Sequence, residues 1–307
     1  MFLRLRPVSL VIALLFLVAV GHVSAAAQTP STVESKFPRL SSGPLHRAVV
    51  VTMTGGVVLS AGGIKITTND VAKEIAKSPE SLRAQLKQYS FFALEQAAVR
   101  KFLANEAAAW ASKKGVSAKG DELIGKYLQS VVPRRAVTDE EARQFYSANR
   151  SMFGAATFDQ VRASVKSYLG DEKWAVKANA YANAISNRNV IQVSRVWANQ
   201  QYQKWIKNPV EQARRSGKPS LVDFGRAGCK PCDMMAPVFD ELRKKHKGKA
   251  NVVFVHTGKE PVLASHYGIS VVPTQIFFDK SGKQTVRHEG YLDKASIEEK
   301  LRQMGVK

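Results

Sequence analysis

The sequence predicts an α/β sandwich with a mixed sheet, preceded by a mostly α-helical region, and three observations carry that expectation. Three near-continuous apolar runs, Leu221-Val222-Asp223-Phe224, Val252-Val253-Phe254-Val255 and Gln275-Ile276-Phe277-Phe278, have the character of strands covered on both faces. Helical patterns over about residues 234–247, 261–267 and 294–304 alternate with them, the order that builds a sheet flanked by helices. Upstream, apolar positions recur at helical spacing for more than a hundred residues. With 307 residues the chain is long enough for about two domains of the usual ~100–200 residues.

Taken in order, the chain opens with Arg4 and Arg6 before an apolar run of 13 residues (8–20) and the small residues Ser24-Ala25-Ala26-Ala27. A positive start, a short apolar stretch and an A-x-A-like site describe a secretory signal peptide over residues 1–27. The run is shorter than the ~20 residues that span a bilayer, so membrane attachment is expected only if the segment stays uncleaved. No cysteine lies near the cleavage region, which excludes a lipid anchor there. The protein is therefore expected to be periplasmic or otherwise exported.

Residues 28–47 are rich in Ser, Thr and Pro and read as a flexible leader. Ala48-Val49-Val50-Val51-Thr52-Met53 and Val57-Val58-Leu59, separated by Gly55-Gly56 and closed by Gly62-Gly63, predict a hairpin or small ribbon. Thr67 with Asp70 caps a short helix over residues 71–77. After Pro79, the spacing of Leu82, Leu86, Tyr89, Ala93, Val99, Leu103 and Trp110 predicts one helix of about thirty residues, ending at Gly115. A second covers residues 118–131 and stops before Pro133. Thr138-Asp139-Glu140-Glu141 is a capping box for a helix through residue 148. Another helix runs over residues 157–186, with Gly170 as a kink point, before the strand-like Val190-Ile191-Gln192-Val193. A helix over residues 198–215, interrupted at Pro209, leads into the three apolar runs, and residues 285–289 add an edge strand.

Lys and Arg number 46 against 25 Asp and Glu, a formal charge of +21. The excess is in both parts: 28 against 14 before Pro209 and 18 against 11 from there on. No arginine-rich tract or aromatic-studded basic stripe accompanies it, which argues against nucleic acid as a partner. The charges fall on amphipathic helices and read as solvated faces.

Cys229 and Cys232 are the only cysteines, placed between the first apolar run and a helical pattern. Three readings are open: a redox pair, half of a metal site, or an inert bridge. Closing so short a loop contributes little stability. A structural zinc would need four ligands, and neither a second C-x-x-C nor an H-x3–5-H pair exists. The redox reading is therefore preferred. Cys229, opening a helix, has free amides and the macrodipole to stabilise a thiolate, and Lys230 adds a positive charge. It is the expected nucleophile. Cys232, one turn on, is the expected resolving thiol, and Pro231 suits an early helical position. Asp223 stands in an otherwise apolar strand, where desolvation raises a carboxylate pKa; the alternative is a strand-end carboxylate facing solvent.

On these residues roughly the last hundred positions resemble the thioredoxin family. Val222-Asp223-Phe224 precedes Cys229-Lys230-Pro231-Cys232 by that family's spacing. Pro237 follows at its helix-kinking position, Val272-Pro273-Thr274 resembles its cis-proline loop, and Gly290 follows the last strand. The resemblance implies a thioredoxin fold, Asp223 as proton acceptor for Cys232, and Pro273 cis against the sulfurs. It also implies that Val272, with Thr274, Lys230 and Pro231, meets the substrate. Gly228 stands for the family's tryptophan before the nucleophile, Gly225 for an aromatic upstream, and Phe254 for its lysine across from the aspartate. The region 48–197 resembles the chaperone domain of the SurA and PrsA type without its prolyl-isomerase module. The resemblance rests on Gly63-Ile64-Lys65-Ile66-Thr67-Thr68-Asn69-Asp70-Val71, on Thr138-Asp139-Glu140-Glu141 with Phe145-Tyr146, and on Phe158-Asp159-Gln160-Val161. It implies a cradle for extended polypeptide.

The expected organisation is thus a signal peptide (1–27), a leader (28–47), a helical chaperone-like domain (48–197) and a thioredoxin-like domain (198–307). The expected activity is thiol–disulfide exchange on client proteins, on the reducing side, with no metal or organic cofactor beyond the redox-active Cys229–Cys232 disulfide. A membrane thiol reductase or oxidase is the expected electron partner. The alternative is a periplasmic chaperone, or an oxidase or isomerase-type folding factor, whose helical arm binds unfolded clients.

Overall fold

Two four-stranded sheets, joined by a short run of helix, organise the chain. The computed structural model describes residues 31–307, which form one compact unit; the segment expected as signal peptide lies outside the described residues. The first elements are α1 (Val33–Lys36), β1 (Val49–Val51), β2 (Val57–Ala61) and β3 (Ile64–Thr67). A helical excursion follows: α2 (Thr68–Lys77), α3 (Glu80–Gln88), α4 (Ser90–Lys114), α5 (Gly120–Val131), α6 (Asp139–Ala148), α7 (Phe158–Asn183) and α8 (Ile185–Arg188). The chain then returns as β4 (Gln192–Ser194) and passes through α9 (Arg195–Trp205) and α10 (Pro209–Arg214). The last part is β5 (Ser220–Gly225), α11 (Lys230–Lys245), β6 (Asn251–His256), α12 (Pro261–His266), β7 (Thr274–Phe278), β8 (Gln284–Glu289) and α13 (Lys294–Gln303).

The first sheet has the order β1-β4-β2-β3. β4 pairs parallel with β1 and antiparallel with β2, so it fills the slot between them. The hairpin therefore does not form across Gly55-Gly56; these glycines take φ of 64° and 72° and carry the chain past that slot. It forms one step later, between β2 and β3 around Gly62-Gly63. The helices α2–α8 are thus an excursion that leaves one strand of the sheet and returns as another.

Local capping sets where several helices start. Thr67 and Asp70 satisfy each other's amides at 2.9 and 3.1 Å, and Thr138 and Glu141 do the same at 3.1 Å each. The thirty-residue helix expected after Pro79 is two helices, broken at Tyr89 (φ −110°, ψ 52°). The break lets Tyr89 bury its ring edge-on to Trp205, with centroids 5.5 Å apart. It also aims α3 at α12, where Gln85 caps the helix start by accepting from the Val262 amide at 3.0 Å. Gly170 produces no break: α7 is a single helix of 26 residues, about 39 Å at 1.5 Å per residue. Its first half packs with α6 in a small apolar cluster (Val137, Ala142, Phe158, Val165), and Ala182 near its end belongs to the main core.

Residues 31–47 are not a loose leader. Val33 and Leu45 are fully buried, and Thr32 and Ser35 form a capping box on α1. The buried Glu95 of α4 accepts from Ser41 Oγ at 2.5 Å and from the amides of Gly43 and Leu45 at 3.1 Å. The small polar residues that suggested flexibility serve as caps and turns. Residue 197, expected as a domain boundary, lies inside α9, where Trp197 stacks on Phe91 with centroids 5.9 Å apart. One apolar core runs from Val33 through Leu94 and Val193 to Phe224 and Phe278.

The second sheet is mixed, in the order β6-β5-β7-β8, with β5 parallel to β6 and antiparallel to β7. Side chains alternate across its two faces. Val222, Phe224, Ile276 and Phe278 join the main core. Leu221 and Phe277 face the other way, packing with Met235, Phe239 and Leu242 of α11 and Ile297 and Leu301 of α13. The same period points Asp223 and Gln275 toward α11.

A buried ionic cluster clasps the N-terminal segment to this region. Glu211, fully buried on α10, accepts from Arg39 Nε at 2.9 Å and from Tyr267 Oη at 2.8 Å, and pairs with Arg39 Nη2 at 2.8 Å. Arg214 completes it at 3.4 Å. Removing one member strands the others, so Glu211→Ala is expected to lower unfolding stability by about 3–5 kcal/mol, measured by urea denaturation at pH 7.

Candidate active site

β5 ends at Gly225, and Arg226-Ala227-Gly228 turn the chain into α11. Gly228 has φ of 75°, a left-handed conformation that costs glycine nothing, and it brings Cys229 to the helix N-cap. The Cys229 carbonyl accepts from the Asp233 amide at 3.0 Å, closing the first helical turn. Lys230 is exposed, and Pro231 sits in the first turn, where its missing amide leaves no bond unmade. Cys229 and Cys232 are joined as a disulfide with Cα atoms 5.2 Å apart. The two sulfurs differ in access: Cys229 is partly exposed, whereas Cys232 is 7% exposed.

The loop before β7 supplies the opposite wall. The Val272–Pro273 peptide is cis, and Cys229 Sγ lies 3.7 Å from the Val272 carbonyl oxygen. The structure thus places Val272 beside Cys229, with Pro273 following across the cis peptide. Thr274 behaves otherwise. Its side chain is buried and donates to the Val271 carbonyl at 2.6 Å, so it shapes its own loop and offers nothing to a substrate.

Asp223 is 1% exposed, not a solvent-facing strand end. Burial pushes its pKa up to about 6, against a hydrogen bond from Gln275 that favours the charged form. Gln275 Nε2 donates to Asp223 Oδ1 at 2.9 Å, from the residue directly opposite on β7. Sequence reasoning missed Gln275 as a site residue. The signal was present: it is the one polar residue in an apolar run whose neighbouring strand also carries one polar residue. Among the described residues, no group of three or more His, Cys, Asp or Glu is placed to hold a metal ion.

Residues 194–303 match the family model described as thioredoxin. The thioredoxin of Alicyclobacillus acidocaldarius is 40% identical over 91 residues, which are 30% of this chain and 86% of that protein. The chain belongs to the thioredoxin family. Thioredoxin 1 of Nostoc is 41% identical over 86 residues, 28% of this chain and 79% of that protein. A thioredoxin-like protein of Synechocystis is 36% identical over 98 residues, 32% of this chain and 92% of its own. The solved structure of the exposed lipoprotein thioredoxin of Streptococcus pneumoniae is 24% identical over 31% of this chain and 89% of that chain, with a TM-score of 0.28. The matched thioredoxin unit begins at Ser194, the last residue of β4, and ends at Gln303, the last residue of α13. Thiol–disulfide oxidoreduction is the activity of the family.

Two of the positions that depart from the expected pattern, Gly225 and Phe254, meet in space. A Cβ added to Gly225 would come within 2.9 Å of Phe254 Cε2, so the Phe254 ring occupies the room a larger residue at 225 would need. A cavity of about 320 Å³ opens beside this pair and reaches Asp223 and Cys232. At Gly228 an added Cβ would meet nothing within 4 Å, so that side of the sulfurs is open.

The raised pKa of Asp223 makes it a stability liability of known sign. The folded state holds the proton more tightly than the unfolded chain, so the penalty is absent below about pH 4, grows between about pH 4 and 6, and is complete above. Asp223→Asn is expected to stabilise the protein by about 1–3 kcal/mol at pH 8 and by little at pH 3.5, read from urea denaturation at both pH values.

Proposed function

We propose that this chain is an exported protein thiol–disulfide oxidoreductase that reduces client disulfides through Cys229 and Cys232. The observation that carries the reading is the asymmetric sulfur pair: a partly exposed Cys229 at the start of α11, bonded to a buried Cys232 that lines one cavity with Asp223. In the reduced protein, the unpaired amides of the first turn and the exposed Lys230 favour the Cys229 thiolate. That thiolate attacks one sulfur of a client disulfide. A mixed disulfide forms, and the other client sulfur leaves as thiolate and takes a proton from water. Cys232 then gives its proton to Asp223 and attacks Cys229 Sγ. The Cys229–Cys232 disulfide forms and the client's second sulfur leaves, so the client gains two electrons and the protein loses two.

Pro273 has no amide to compete for the client, and the backbone of Val272 is left to pair with a client strand beside Cys229. No metal or organic cofactor enters this scheme. Export by residues 1–27 would place the reaction in the periplasm or outside the cell, where a membrane thiol reductase must resupply electrons.

A second reading, a chaperone or an oxidase or isomerase-type folding factor, is favoured by the arm. Tyr168 and Val176 are exposed on α7, and a groove of about 390 Å³ at Val176 is lined by the apolar Pro133, Trp174 and Val176 together with the charged Arg135, Glu172, Lys173 and Lys177, a mixed surface suited to extended polypeptide.

Three measurements separate these readings. Cys232→Ser is expected to accumulate a client adduct that dithiothreitol releases, while Cys229→Ser forms none and falls to the uncatalysed rate of insulin reduction. A reduction potential of about −270 mV for the pair supports a reductase and one of about −120 mV an oxidase, whereas a bridge that millimolar dithiothreitol leaves intact overturns both. A variant carrying Cys229→Ser and Cys232→Ser that still suppresses aggregation of a cysteine-free client identifies the arm as a chaperone.

A further inference from the structure

The Phe254–Gly225 pair is the feature of the site that thiol–disulfide exchange leaves unused. Phe254 stands directly opposite Asp223 in the parallel pairing of β5 with β6. Its ring tip lies where a side chain at 225 would project, and the same projected position is 3.5 Å from Cys232 Sγ. Phe254, Asp223 and Cys232 all line the cavity of about 320 Å³. The ring is nonetheless 46% exposed, so it is a lip of the cavity rather than part of its floor. Gly225 leaves room beside the buried sulfur, and Phe254 fills it from the neighbouring strand.

We propose that Phe254 is a positioning residue for the resolving step, an apolar lip that keeps bulk water off Asp223 while leaving the cavity as the path by which its proton leaves. This rests on the reading of Asp223 as proton acceptor for Cys232. In that step the Cys232 S–H bond breaks and the proton passes to the Asp223 carboxylate. Cys232 sulfur bonds to Cys229 sulfur as the client's sulfur departs with the electron pair, and Asp223 later returns the proton to water in the cavity.

The charges around Asp223 do not provide an alternative source for its behaviour. Arg226 from the β5–α11 turn, Asp233, Asp240 and Arg243 from α11, and His256 from β6 share the cavity walls. Arg243 is already paired with Asp240 at 2.5 Å and bonded to the Val252 carbonyl at 3.3 Å. From β7 the neighbour is Gln275, which is neutral and donates to the carboxylate. Burial is the main influence on Asp223, and Phe254 is the apolar residue opposite it on β6 that lines the same cavity.

The test follows the resolving step alone, in the full chain. Reduced protein in excess over dithiobis-nitrobenzoate releases a first thionitrobenzoate as Cys229 reacts and a second as Cys232 resolves the adduct, the second in a first-order step. Its rate is followed at 412 nm from pH 4.5 to 8. Wild-type protein is expected to lose rate on the acid side as Asp223 is protonated. Phe254→Ala, at a half-exposed position, is expected to move that acid limb down by at least about half a pH unit and to slow the plateau several-fold, because a hydrated carboxylate is a weaker base. Phe254→Leu restores the wild-type profile, and in an Asp223→Asn background Phe254→Ala changes nothing further. A Phe254→Ala profile that superimposes on wild type, while Asp223→Asn abolishes the acid limb, overturns the role of Phe254 and leaves that of Asp223 standing. An Asp223→Asn profile that keeps the wild-type acid limb overturns both.

Discussion

The sheet β6-β5-β7-β8 is apolar on both faces, and the rest of the molecule answers that constraint. One face is covered by α11 and α13, which pack Met235, Phe239, Leu242, Ile297 and Leu301 on Leu221 and Phe277. The other carries Val222, Phe224, Ile276 and Phe278 and is closed by apolar residues of α10 and α12 and by the layer beyond them. Trp205 of α9 links that layer to Tyr89, and through it to the helical excursion. Burying both faces by the hydrophobic effect is what merges the two regions into one core. A thioredoxin-type sheet here is not a separable bead on a helical string.

The same alternation creates the site. On a strand of period two, the position between Leu221 and Gly225 must face α11, so Asp223 is carried into the apolar layer beneath Cys232. An isolated buried carboxylate is costly, and Gln275 offsets only part of that by donating from the adjacent strand. The surviving penalty is what makes Asp223 a stronger base than an exposed aspartate. In the proposed scheme stability and reactivity are opposed at this one side chain, and the Phe254–Gly225 contact lies beside it.

Distance from that layer changes the character of the helical part. Near the core, α3, α4 and the segment before β1 are tied down by Glu95, by the Glu211 cluster and by Gln85 on α12. Farther out, α6 and the first half of α7 share only their own small cluster around Phe158. That outer lobe presents Tyr168 to solvent, and Val176 is exposed farther along α7.

The sequence by itself determined the α/β class, the mixed sheet and the cysteine pair at the head of α11. These depend on local patterning: apolar runs, a C-x-x-C before a helical period, and capping pairs such as Thr138 with Glu141, all of which act within a few residues. What it could not decide depends on partners far along the chain. Gly55-Gly56 looked like a hairpin because nothing local announces that β4, more than a hundred residues later, takes the slot between β1 and β2. The long helix breaks at Tyr89 because Trp205 and Val262 are waiting on the other side. Residues 31–47 looked loose because their caps and their ties to Glu95 and Glu211 exist only once those carboxylates are buried. Gln275 and Phe254 acquired meaning in the same way, since strand register alone sets them opposite Asp223. Local chemistry is written residue by residue, whereas burial and register exist only when the chain has closed on itself.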